Sequence, residues 1–242
     1  MSNVARFTHE LSELDTVHIW DDFFWYVTAH QWTSLAADTT PTLTVGDAVN
    51  GVLALFTDTT DNNEVAVRST AELFKVGTNR EIVCRAKLQY SENDTNKANV
   101  FVGFASAIGA NLLLDNGGGP RVSGDILGIF KVDGGTVWKC VSQVNGTATI
   151  TESTTTAGGT TAQVLEVIAK DWDGVKMEVL FKVGTVAGGT EYLKDANGTV
   201  IRHTVAIASA TEMNVGVYVK TGGGSGGETV NVDYVYANQN RI

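Results

Sequence analysis

Proline is almost missing from this chain, at 2 of 242 residues, and cysteine is as rare. The first shortage excludes Pro-rich linkers and stalks, the second a disulfide-stapled scaffold. Cys84 and Cys140 fall in strand-like runs without the paired spacing of a metal site, so both are expected as reduced, packed thiols. No apolar run approaches the roughly 18 residues of a membrane-spanning helix. Positive charge is scarce too: 17 Lys and Arg stand against 27 Asp and Glu, for a formal net charge of −10. Such a balance repels polyanions and argues against nucleic acid as a partner. Met1 to Arg6 lead into polar and acidic residues rather than an apolar core. No secretory leader is expected, and the chain reads as made and kept in a cytosol until something carries it.

What the chain does have is a two-residue period. Ile82, Cys84, Ala86, Leu88 and Tyr90 alternate with Val83, Arg85, Lys87 and Gln89, the pattern of a strand with one packed and one wet face. Met177, Val179, Phe181 and Val183 alternate likewise with Lys176, Glu178, Leu180 and Lys182. Further strands read at 51–56, 64–68, 71–76, 99–106, 125–132, 136–144, 163–171, 199–207, 213–220 and 230–237. Between them stand Asp133-Gly134-Gly135, Asn145-Gly146, Asp173-Gly174 and Asn197-Gly198, residues that tolerate positive φ and close antiparallel hairpins. No crossover helices separate the strands, which excludes parallel βαβ units. One-sided strands in this number bury best in two stacked layers, so the expected fold is all-β, an antiparallel two-sheet sandwich forming one domain over 21–242.

Residues 1–20 follow a different rule. Val4, Phe7, Leu11 and Leu14 recur at spacings of three and four, with Thr8 available as a cap, which is the narrow stripe of a short helix. A helix this short is unstable alone, so the segment is expected to be an arm that docks on a neighbour through those four side chains.

Patterns for catalysis are not found. His9, His18, His30 and His203 lie at spacings that put no two of them on one face with a carboxylate. Neither a Gly-x-Ser-x-Gly elbow nor the Glu-x-Asp-x-x-Glu run of laminarinase-like glycosidases occurs. Glu166 with Lys170, and Glu178 between Lys176 and Lys182, read as solvated strand faces joined by cross-strand ion pairs. The run from Asp58 to Glu64 offers oxygen ligands at alternating positions, but it lacks the closing pattern of a calcium loop and reads as a polar hairpin turn. No catalytic residue, metal site or cofactor is assigned, and no enzyme activity is expected. Aromatic residues, by contrast, cluster: Trp20, Phe23, Phe24, Trp25, Tyr26 and Trp32 fall in one short stretch. Trp20, Trp25 and Trp32 are candidates for stacking a sugar or anchoring a partner protein; the competing reading is that the stretch plugs one end of the sandwich.

Four segments carry a resemblance. Trp20-Asp21-Asp22-Phe23-Phe24, Gly51-Val52-Leu53-Ala54-Leu55-Phe56, Asp125-Ile126-Leu127-Gly128-Ile129-Phe130 and Val230-Asn231-Val232-Asp233-Tyr234-Val235-Tyr236 resemble the concanavalin A-like (laminin G-like) jelly rolls found among virion proteins of tailed bacteriophages. The resemblance implies a jelly-roll sandwich on the outer surface of a virion, a capsid decoration or cement protein. It would bind the major capsid protein and further copies of itself, as a dimer or trimer, with no nucleic acid or membrane partner. The alternative it implies is a glycan- or receptor-binding adhesin module of a phage fibre. The Asp and Asn pair with which the lectin branch of that superfamily holds calcium is not matched residue by residue.

Overall fold

Side-chain alternation becomes paired strands in the computed structural model, which describes residues 16–36, 41–46, 51–185, 189–223 and 226–240. In chain order the strands are β1 (Thr16–Asp21), β2 (Trp32–Ala36), β3 (Thr42–Gly46), β4 (Val52–Phe56), β5 (Glu64–Ser69), β6 (Glu81–Ser91), β7 (Ala98–Ala105), β8 (Leu113–Leu114) and β9 (Gly119–Pro120). They continue with β10 (Ile126–Lys131), β11 (Val137–Val144), β12 (Thr147–Thr156), β13 (Gln163–Asp171), β14 (Lys176–Thr185), β15 (Gly189–Tyr192), β16 (Arg202–Ala206), β17 (Asn214–Thr221) and β18 (Thr229–Asn240). One sheet runs β15-β14-β13-β6-β18-β4-β3, with β1 also on β18 and β16 also on β14; the other runs β12-β11-β10-β7-β17-β5-β2. Every pairing between these strands is antiparallel.

The two sheets stack through their apolar faces. On β6 the even-numbered residues Ile82 to Tyr90 are buried and the odd ones partly exposed, as the period requires. The shared core gathers Leu55, Cys84, Val102, Trp138, Phe181 and Val232, each such side chain contributing about 1.5–3 kcal/mol by leaving water. The hairpins close where turn chemistry predicts: Asp133-Gly134-Gly135 joins β10 to β11, Asn145-Gly146 joins β11 to β12, and Asp173-Gly174 joins β13 to β14. Positive φ at Gly134, Asn145, Gly146 and Gly174 is what those turns need. The fold expectation of an all-β, two-sheet antiparallel sandwich holds.

Two expectations need correction, and a third falls outside the described residues. The boundary at residue 20 cuts through β1, whose residues pair with the C-terminal strand from Thr16↔Asn240 to Asp21↔Val235 and bury Ile19 in the core. Edge pairing offers these residues a full ladder that an isolated helix would lack. Val4, Phe7, Leu11 and Leu14 lie outside the described residues. Residues 71–76 form no strand; only Phe74 makes a lone bridge, to Met213.

Over β7, β10 and β17 the outer face of the seven-stranded sheet is covered by its own chain. Ile108, Leu112 and Leu113, from the connection between β7 and β10, are fully buried over Phe101, Phe130 and Tyr218 as a second core. Gly103, Gly128 and Gly216 stand side by side on three neighbouring strands. A Cβ on Gly128 would lie 2.2 Å from the Phe101 ring, so this row keeps open the furrow that the covering segment fills. Polar bonds fix that segment: the Tyr218 hydroxyl donates to Glu64, whose carboxylate accepts the Asn111 amide at 3.0 Å. Lys220 donates to Asn111 Oδ1 at 2.9 Å. The covered strands therefore offer no open surface to a ligand.

Candidate ligand-binding edge

After β1 the chain turns back toward β2, and Asp21 organises that turn. Its Oδ1 accepts the backbone N–H of Phe23 at 2.8 Å, and its Oδ2 accepts the indole Nε1–H of Trp32 at 2.7 Å. Phe23 adopts a φ of +52° and buries its ring against Trp32, with centroids 5.7 Å apart. Gly51 makes this approach possible: its φ is +70°, and a Cβ there would sit 2.3 Å from the Asp22 carbonyl oxygen. With Phe23 turned inward, its neighbours face out, Phe24 at 64% and Trp25 at 67% exposure. Trp20, at the end of β1, is 56% exposed.

These side chains surround a hollow of about 260 Å³, lined by Trp20, Asp22, Trp25, His30, Gln31 and the edge of Trp32. Gln31 also donates to the Trp20 carbonyl at 3.4 Å, and Ala29 N donates to the Trp32 carbonyl at 2.9 Å. The arrangement sets flat indole surface beside a carboxylate, an imidazole and an amide. Apolar faces bordered by fixed donors and acceptors suit a ring that carries hydroxyl groups.

Of the three tryptophans singled out in the sequence, Trp20 and Trp25 are exposed and Trp32 is not. At 2% exposure it is a wall and support of the hollow, because its N–H has a carboxylate partner and its ring packs on Phe23. The aromatic stretch divides: Phe23 and Trp32 plug the sandwich, while Trp20, Phe24 and Trp25 face water. In the sequence Asp22 and Gln31 carry no signal beyond adjacency to the aromatics, and His30 stands out only as one of four scattered histidines.

Other candidate groups are committed to structure. Glu166 is held by Lys182 at 3.0 Å and Arg85 at 3.8 Å, and Glu178 by Arg202 at 2.6 Å and Lys170 at 3.2 Å. These are the cross-strand ion pairs that the alternation implies, but Glu166 and Glu178 are buried beneath their partners rather than solvated. Asp58 folds back on Thr60 N at 2.7 Å and on the Asn63 amide at 3.1 Å, which makes its segment a turn. His203 is buried between the hydroxyls of Ser142 and Thr151 at 2.8 and 2.9 Å, and burial lowers its imidazole to about 4. His18 and His30 are exposed, and His9 lies outside the described residues. Cys84 and Cys140 are free and buried, which raises both thiols. Among the described residues no three His, Cys, Asp or Glu side chains are grouped as metal ligands, and no helix is long and apolar enough to cross a membrane.

No protein family's sequence profile matches the chain, and none of the curated proteins compared with it is significantly similar. Solved structures do share its fold. A protein of unknown function from Shewanella oneidensis MR-1 is 15% identical, with a TM-score of 0.58 over 97% of this chain and 94% of that one. An endo-1,3-β-glucanase from Streptomyces sioyaensis is 16% identical, with a TM-score of 0.56 over 94% and 98% of the two chains. The carbohydrate recognition domain of Emp47p is 9% identical, with a TM-score of 0.55 over 93% and 95%. The architecture is that of the concanavalin A-like, lectin-type jelly roll.

Proposed function

We propose that this chain is a glycan-binding module whose contact surface is the hollow around Trp20 and Trp25, and that it binds without cleaving. The observation that carries this reading is the pair of exposed indoles set over a hollow edged by Asp22, His30 and Gln31. Stacking of a sugar face on each indole supplies apolar contact, and the polar edge supplies hydrogen bonds that fix orientation. The similarity to a carbohydrate recognition domain and to a glucanase supports a sugar ligand. Binding rather than hydrolysis is supported by the ion pairs that hold Glu166 and Glu178, since glycoside cleavage needs two carboxylates free to face one bond. Glycan-array screening followed by tryptophan-fluorescence titration tests it. The expected result is saturable quenching that Trp25→Ala removes while the melting curve stays unchanged; an array without binding would sink the reading.

A virion protein that grips a capsid is the second reading, and Phe24 favours it. An exposed phenyl ring with no polar handle, beside Trp25 and Val27, is the kind of anchor a protein neighbour buries. Phe24→Ala would then weaken attachment to the major capsid protein in a virion co-sedimentation assay and leave sugar binding intact. The arm proposed for that contact lies outside the described residues, apart from Thr16 onward, which is strand.

A further inference from the structure

Strand register places six side chains in one line across the outer face of the sheet that contains β1. Trp20 pairs with Tyr236, Tyr236 with Arg85, Arg85 with Glu166, Glu166 with Lys182, and Lys182 with Tyr192. Directly paired residues of neighbouring strands point to the same face, so the line runs unbroken from the hollow to the far edge. Each step from strand to strand is about 4.8 Å, which sets Trp20 and Tyr192 on the order of 24 Å apart. That step is close to the advance of one pyranose unit along an extended β-linked chain. Aromatic rings stand at both ends, and ionic groups occupy the middle. Tyr192 is 43% exposed, and the Lys182 ammonium lies 5.0 Å from its ring centroid.

Charge on this face runs against the chain as a whole. Arg85, Lys87, Lys170, Lys176, Lys182 and Arg202 outnumber Glu81, Glu166, Glu178 and Asp233 there, although the protein carries −10 overall. This face is therefore locally richer in cations than the formal charge of the chain implies. Of the two cations in the line, Arg85 is the more loosely held. It reaches Glu166 at 3.8 Å, against 3.0 Å for Lys182; its Nε is buried without a hydrogen-bond partner, while its side chain as a whole is 40% exposed. The exposed end of that guanidinium, between aromatic platforms, is suited to a ligand carboxylate.

We propose that the ligand is a linear acidic polysaccharide, built of uronic acid units, that lies across the strands from Trp20 to Tyr192 with a carboxylate on Arg85. The inference rests on the glycan-binding reading and adds direction, length and charge class to it. The neutral and acidic cases separate by calorimetry with a β-1,4-linked glucuronate hexamer, the corresponding dimer, and a β-1,4-linked glucose hexamer at low salt. Wild type is expected to bind the glucuronate hexamer about tenfold more tightly than the glucose hexamer. Arg85→Gln should erase that preference, and Tyr192→Ala should weaken the hexamer but not the dimer, both variants melting as wild type does. Equal affinity for the two hexamers, or silence of both substitutions, overturns the proposal. If Trp25→Ala abolishes binding while Arg85→Gln and Tyr192→Ala change nothing, the hollow stands and the line across the sheet falls. If neither hexamer nor any arrayed glycan binds, both fall.

Discussion

The indole of Trp32 and the carboxylate of Asp21 meet at 2.7 Å, and this bond ties the strand before the aromatic turn to the strand after it. Asp21 spends its other oxygen on the Phe23 amide, so one side chain fixes both the turn and the wall of the hollow. Asp21→Ala should leave a buried indole N–H unpaired and lower stability by about 1–3 kcal/mol, read as a shift in the urea midpoint. Affinity at the hollow should drop in parallel, because Trp20 and Trp25 are carried by the same turn. Asp21→Asn, which keeps an acceptor, should recover most of the loss; an unshifted midpoint in Asp21→Ala would show that the bond carries no weight.

Two buried groups give opposite dependences on pH. Burial first, and then the nearby Glu92 charge, raise the Glu228 carboxyl to about 7, against 4.5 for an ordinary Glu. Between those values the folded chain keeps a proton that the unfolded chain has lost, so stability falls as pH rises through the window. His203 is held down to about 4 from 6.5; there the unfolded chain takes up the proton, and stability rises with pH between about 4 and 6.5. The two slopes oppose each other over most of their range. Glu228→Gln should unmask the His203 slope, with stability climbing from pH 4.5 to 6.5, and should gain on the order of 2 kcal/mol over wild type at pH 8. Superimposable profiles of urea-melt stability against pH would refute the Glu228 contribution.

How much of this was legible in the sequence depends on the distance over which a feature is encoded. β6 and β14 were readable outright, because their alternation is local and nearly unbroken. β12 was not, since Thr147–Thr156 is largely exposed and almost wholly polar, leaving no apolar period to detect. Residues 71–76 have strand-like composition, yet they end as a loop clasped by Met213. The exposed aromatics were visible as a cluster, but which of them face water is decided by Phe23 taking a positive φ. The line from Trp20 to Tyr192 draws on positions 20, 236, 85, 166, 182 and 192; only the register of distant strands brings them together.

Neither thiol should react while the chain is folded. Cys84 and Cys140 are fully buried, and desolvation raises both well above the usual thiol range, for Cys84 with help from the Glu166 charge. The nucleophile is the thiolate, so labelling by an aromatic disulfide reagent should be negligible in buffer. It should then follow the rate of unfolding as urea is added. Rapid labelling in the native state would show that the core around these residues opens locally.

The segment over the seven-stranded sheet should behave as a unit that is separate from the aromatic edge. Leu112 and Leu113 are fully buried in the second core, and truncating either leaves a cavity over Phe101 and Phe130. Leu112→Ala and Leu113→Ala are each expected to cost about 2–5 kcal/mol. Protease cleavage within 106–124 should rise with that loss, since it removes one of the three fully buried apolar side chains, Ile108, Leu112 and Leu113, that hold the segment beside its polar bonds to Glu64 and Lys220. Sugar binding at Trp20 and Trp25 should stay intact in every molecule that remains folded, because the hollow shares no side chain with this core. A double variant, Leu112→Ala with Trp25→Ala, should therefore show stability and affinity losses that simply add. A coupling of the two would mean that the covering segment and the binding edge report on one another through the β2–β5 pair that lies between them.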